Sequence, residues 1–119
     1  MSLQVVTTIN EKILTLKVTG EYSIAEMLKL VDLVRTECDN RDLAMALVDC
    51  REMIGTMTEA ERFAGGQRVA EILGSDIKAA LLMPQGQVTK LGEMTAVNRG
   101  ARFLVTDSED EARDWLTSE

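Results

Sequence analysis

The stretch "LAMALVDCREMIGTMTEAERF", residues 43–63, decides how the rest of the chain is read. Its first part, "LAMALVDC", is a short continuous apolar run, the pattern of a central strand covered on both faces. Asp49 and Cys50 mark the carboxyl end of that strand. Thr58, followed three residues later by Glu61, is a capping box that opens a helix running to about Leu73, where Gly74, Ser75 and Asp76 stop it. A buried strand followed by a capped helix is half of a parallel crossover unit.

Further along, "IKAALLM" is a second buried strand closed by Pro84, and "QVTKLGEMTAVN" reads as a helix that stops at Asn98, Arg99 and Gly100. "ARFLVT" is the last strand. Ser108 with Glu111 forms another capping box, Glu109 and Asp110 complement the helix dipole, and Ala112, Trp115 and Leu116 supply a buried stripe. Upstream, "LQVVTTI" and "KILTLKVTG" read as a β-hairpin with Asn10 and Glu11 as its turn, ending at Gly20. In its second strand Leu14, Leu16 and Val18 share a buried face, and Thr15, Lys17 and Thr19 share a wet one. Ser23 with Glu26 then caps "IAEMLKLVDLVRTEC", where Ile24, Met27, Leu28, Val31, Val34 and Cys38 recur at helical spacing.

The order ββαβαβαβα predicts an α/β fold: a mixed, mostly parallel five-stranded sheet with an N-terminal β-hairpin as its antiparallel edge. Residues 1–119 are expected to form one domain, since 119 residues bury a continuous core without metals or disulfides. Loops at the carboxyl ends of the strands gather on one edge, the usual binding edge of an open α/β sheet.

Composition excludes much chemistry. The chain has no histidine, which removes Ser-His and Cys-His nucleophile pairs and the commonest zinc ligand. Cys38 and Cys50 lack metal-ligand spacing and are expected to be free structural thiols. No catalytic residue, cofactor or metal site is therefore expected. A net charge of −7 argues against binding a nucleic-acid backbone, and −5 of it comes from residues 107–119, read as a solvated helix face. No apolar run approaches the ~20 residues that cross a bilayer, and no basic, apolar leader opens the chain. A cytoplasmic location without stable membrane insertion is the expectation.

The hairpin ending in "VTGEYS", the central "ALVDCREMIGTMTEAE" and the final "EARDWL" together resemble the STAS domains. This SpoIIAA-like group includes anti-sigma-factor antagonists and the cytoplasmic tails of sulfate transporters. The resemblance covers nearly the whole chain. "VDCREM.G", "ERF" and "NRG" look more closely like small bacterial STAS-like proteins, whose fold is compared with lipid-carrying CRAL-TRIO domains. In the antagonists, the loop after the central strand carries an Asp-Ser pair whose Ser is phosphorylated by a kinase partner, adding charge at the docking surface. The corresponding residues here are Gly55, Thr56, Met57 and Thr58, with hydroxyls but no Asp-Ser pair.

These observations mark Glu52, Met53, Gly55, Thr56, Met57 and Thr58 as a partner-docking or phospho-loop, with Met53 and Met57 as an exposed, adaptable apolar rim. Thr56 is the first candidate phosphoacceptor and Thr58 the second, because Thr58 serves as a helix cap. Arg51 and Arg62 are candidate anion-binding residues if the fold brings them together beside the helix start. The leading expectation is a non-enzymatic STAS-like regulatory module that binds a kinase-like or other regulatory protein. The alternative is a binder or carrier of a small amphipathic or lipid ligand with an anionic head group, held by Arg51 and Arg62. The hairpin also offers an edge for homodimer pairing.

Overall fold

A computed structural model describes residues 3–118; Met1, Ser2 and Glu119 lie outside them. The elements run β1 (Gln4–Asn10), β2 (Ile13–Glu21), α1 (Ile24–Arg41), β3 (Met45–Ile54), α2 (Glu59–Ile72), β4 (Lys78–Leu82), α3 (Leu91–Asn98), β5 (Phe103–Thr106) and α4 (Glu109–Thr117). The five strands lie side by side in chain order. β1 and β2 pair antiparallel, and every later pair is parallel. The predicted mixed sheet and element order are those observed.

Parallel crossovers are right-handed, so three successive crossovers that advance in one direction must all pass over the same face. α1 and α2 accordingly pack on the face of Leu14, Leu16, Val18, Ala46, Cys50 and Ala79, joined there by α3. α4 follows β5 with no further strand and closes the other face, burying Ala112 and Leu116 against Ile13, Leu47, Ala80 and Leu82. Ile13 is therefore buried on the hairpin face expected to be wet. Both ends of α4 are held: Arg51 donates to Glu109 in its first turn, and the Lys78 ammonium donates to the Trp115 and Ser118 carbonyls at its last. A cation on the last carbonyls also complements the helix dipole.

Several local expectations shift. Asn10 belongs to β1, paired with Ile13, and the turn is Glu11 and Lys12, both with left-handed φ of 55° and 67°. A two-residue hairpin loop whose twist matches the strands requires that backbone. Ser23 occupies the N-cap position of α1, but its side chain makes no capping bond. Glu26, the expected reciprocal partner, instead accepts from the Leu3 backbone amide at 2.8 Å. α1 also runs on past Cys38 to Arg41. The third helix begins at Leu91, four residues later than expected, because residues 87–90 are held irregularly: Arg62 donates to the Gln87 carbonyl and Lys90 to the Val105 carbonyl.

β3 departs most. It continues past Cys50 to Ile54 through a bulge, since Lys17 pairs with Asp49 and Thr19 with Glu52, leaving Cys50 and Arg51 opposite Val18. The extra residue inverts the strand's alternation. Without it Glu52 would point into the core; with it Glu52 faces outward to Lys17 at 2.8 Å and Met53 packs inside, 5% exposed.

α2 and α3 approach closely through glycine. A Cβ on Gly66 would lie 2.4 Å from the Gly92 carbonyl oxygen and 2.8 Å from the Thr95 Cβ, whereas one on the adjacent Gly65 would meet nothing within 4 Å. Gly66→Ala should destabilise the protein by about 1–3 kcal/mol through overpacking. Gly65→Ala should stabilise it by about 1 kcal/mol through helix propensity. Urea unfolding of the two variants checks this, and equal effects would contradict the packing described.

Candidate functional site

The parallel strands bring their carboxyl ends to one edge, where β3 turns into α2. Gly55 makes the turn with a φ of 108°, and a Cβ there would come within 3.2 Å of the Tyr22 Cβ. The Tyr22 amide donates to the Ile54 carbonyl at 2.7 Å, so the end of β2 braces this turn. Thr56 is exposed beyond it. Thr58 caps α2 with a complete capping box: the Glu61 amide donates to its hydroxyl at 3.1 Å, and its own amide donates to the Glu61 carboxylate at 2.9 Å. That backbone bond, above all, holds the Glu61 carboxyl below its ordinary pKa. Burial, then the neighbouring Glu61, pushes the Tyr22 phenol above its usual range.

The two methionines separate. Met53 is buried in the core, placed there by the bulge, and contributes no exposed rim. Met57 is half-buried, packs against the main core and reaches a cavity beneath α2.

The two arginines also separate. Arg51 forms a two-pronged pair with Asp49, at 3.0 and 2.8 Å, and reaches Glu109 of α4 at 2.9 Å. These contacts fill its fork with carboxylates. The Asp49 bond chiefly raises the Arg51 pKa, and the same bond chiefly lowers that of Asp49. Arg62 lies on the opposite, three-helix face, 6% exposed, donating to the Gln87 carbonyl at 3.0 Å. The structure does not bring Arg51 and Arg62 to one anion, because alternation along β3 puts Arg51 with Asp49 and Leu47 on the α4 face, where it pairs with Asp49 and Glu109.

Beneath α1 and α2 lies an apolar cavity of about 80 Å³ whose lining includes Leu28, Val31, Met57, Arg62, Gly65 and Val69. Cys50 is fully buried, and burial pushes its thiol up to about 12; Cys38 is likewise raised, to about 11. Neither thiol is poised as a nucleophile. Among the described residues, no group of three or more His, Cys, Asp or Glu could hold a metal ion. None of the helices described is long and apolar enough to cross a membrane.

One feature went unread in the sequence. α3 turns its small residues inward, burying Gly92, Thr95 and Ala96, and its large ones outward. Met94 is 56% and Val97 48% exposed, in line with Leu91 at helical spacing. Phe63 of α2, 40% exposed, extends this apolar surface beneath Arg99, whose guanidinium carbon lies 5.4 Å from the ring centroid. The small residues spaced between large ones in "LGEMTAVN", set against Gly66, carried the signal.

No family model and no curated protein matches the chain. Solved structures do. An anti-sigma factor antagonist from Mycobacterium paratuberculosis aligns with a TM-score of 0.65 at 12% identity, covering 98% of this chain and 96% of that one. An uncharacterised protein with a SpoIIAA-like fold from Shewanella loihica aligns at 0.56 and 16% identity, covering 96% and 93%. The anti-sigma factor antagonist SpoIIAA in its unphosphorylated form aligns at 0.52 and 13% identity, covering 95% and 94%. The fold is SpoIIAA-like, as the sequence resemblance implied.

The Arg51–Asp49 pair has a pH signature. The folded Asp49 carboxyl titrates below the ordinary aspartate value, so its contribution is present above that ordinary value and is lost as pH falls through the folded one. Asp49→Asn should lower stability at neutral pH and flatten the acid limb below about pH 4. Urea midpoints between pH 6 and pH 2 measure this, and parallel acid limbs would exclude the pair as a source of acid sensitivity.

Proposed function

We propose that this chain is a non-catalytic STAS-like regulatory module that docks a protein partner through the outer face of α3, Phe63 and the adjoining loop of Gly55, Thr56, Met57 and Thr58. The observation that carries the reading is the inverted α3: Met94 and Val97 stand in water while Gly92, Thr95 and Ala96 fill the interior. An apolar strip of this kind, beside charged neighbours, is a feature of interaction sites. Anti-sigma factor antagonists among the fold's neighbours support a protein, kinase-like or otherwise regulatory, as the partner.

Phosphorylation is proposed at Thr56 in preference to Thr58. Thr56 is exposed before the helix start, whereas the Thr58 hydroxyl already accepts the Glu61 amide. A phosphate on Thr56 would add roughly −1.5 to −2 charge beside the docking strip and near unpaired first-turn amides. Glu52, paired with Lys17, belongs to the rim of this surface. Pairing of two copies along β1 is a further means of control that the exposed edge permits.

The alternative reading, a carrier of an amphipathic ligand with an anionic head group, keeps only Arg62 of its two arginines. Its cavity of about 80 Å³ is well short of the ~300 Å³ at which drug-sized ligand pockets begin, so a long acyl chain is not accommodated.

Tagged protein recovered from its native host, cross-linked and mapped by mass spectrometry, tests the docking reading. Cross-links from a discrete partner should fall on residues 55–58 and α3. Met94→Glu and Val97→Asp, exposed and expected to change stability by less than about 0.5 kcal/mol, should lower its recovery by about tenfold or more. Intact mass should show one added phosphate that Thr56→Val removes. Unchanged recovery with both α3 variants would overturn the surface.

A further inference from the structure

We propose that the cavity beneath α1 and α2 binds a short aliphatic carboxylate, with Arg62 holding its head group. Arg62 is more than nine-tenths buried, and no Asp or Glu oxygen among the described residues lies within 4.0 Å of its guanidinium. Among the described residues, the guanidinium makes one hydrogen bond, to the neutral Gln87 carbonyl at 3.0 Å. Buried cations are ordinarily paired, because desolvation of an unpaired charge is costly. A guanidinium offers five donors in a planar fork that matches a carboxylate. Here one donor is engaged, and no carboxylate among the described residues pairs with the charge.

The second observation is the space itself. The cavity that Arg62 lines is almost wholly apolar, walled by Leu28 and Val31 of α1 and Val69 of α2. Gly65 lines it too, in mid-helix, where a Cβ would meet nothing within 4 Å. Glycine there weakens the helix, and no close packing compensates. The missing side chain leaves room for a guest. At about 80 Å³ the volume is near half of the ~150 Å³ cavity that accepts benzene, which suits a tail of roughly three to five carbons.

The ligand class follows from both ends. An apolar wall selects an aliphatic tail, and a single buried guanidinium selects one planar monoanion. A phosphate ester would bring a second charge that these walls cannot compensate. The site lies between α1 and α2, away from the exposed Met94 and Val97 of α3, and shares Met57 with the proposed docking loop.

The test is an NMR titration of the purified full chain with isovalerate, butyrate, isovaleramide and laurate, following amides of Met57, Gly65 and Val69. Isovalerate or butyrate should give saturable shifts confined to the cavity, with isovaleramide weaker by at least about tenfold for loss of the charge-assisted bonds. Arg62→Met should weaken binding by a similar factor, and Gly65→Val, which fills the space, should abolish it. Should Arg62→Met fail to fold, the carboxylate-to-amide comparison still reports on the charge. Shifts that do not saturate, equal binding of the amide, or unchanged binding by Gly65→Val would each overturn the proposal. Tighter binding of laurate at the same amides would overturn the assigned chain length.

Discussion

The handedness of the crossovers is the constraint on which the rest depends. Five strands placed in chain order leave three right-handed connections no choice but to cross one face. Three helices must then share a sheet face whose own parallel part is only four strands wide. α2 and α3 meet the crowding by approaching through Gly66 and Gly92, with Thr95 and Ala96 beneath. Large side chains on the inner side of α3 would not fit there. Leu91, Met94 and Val97 stand outward as a consequence, and an apolar surface is created by the packing of the layer below it.

The opposite face carries a single helix, and its attachment is polar at both ends. Arg51 reaches Glu109 while gripping Asp49, and Lys78 meets the last carbonyls of α4 with its ammonium 4.7 Å from the Trp115 ring centroid. Between these ends, Ala112 and Leu116 supply the apolar contact. Because exposed ion pairs are individually weak, the burial of Ala112 and Leu116 holds the helix and the charges set its direction. Arg51 therefore orients α4, which accounts for its absence from any anion site.

Much of the architecture was legible because it rests on local chemistry. The complete box at Thr58 and Glu61, the apolar run before Asp49, and the breaks at Gly74 and Gly100 are read from neighbouring residues alone. The misreadings occur where a distant group intervenes. Ser23 lost its reciprocal partner to the Leu3 amide, which lies 23 residues from Glu26. Met53 reads as an exposed loop residue because the apolar run ends at Cys50, whereas the continuation of β3 to Ile54 through the bulge opposite Val18 is set by pairing with β2. The candidate site suffered most, since Arg51 and Arg62 are eleven positions apart in sequence but on opposite sides of the sheet, Arg51 on the α4 face with Asp49 and Arg62 on the three-helix face. Thr58 lay where expected because a cap is local.

The outer strand of the hairpin, β1, has a consequence for the chain's behaviour in concentrated solution. "QVVTTIN" carries no charge and no proline, leaves one edge of backbone unpaired, and shows Val6 and Ile9 to water. Natural edge strands are ordinarily guarded by lysine, proline or a bulge against joining another sheet. Here the bulge sits two strands inward, on β3, where it positions Met53 and leaves the edge unguarded. β1 is thus the segment through which misassembly and aggregation would begin, and the net charge of −7 on the molecule, lying mostly in residues 107–119, is what remains to oppose it.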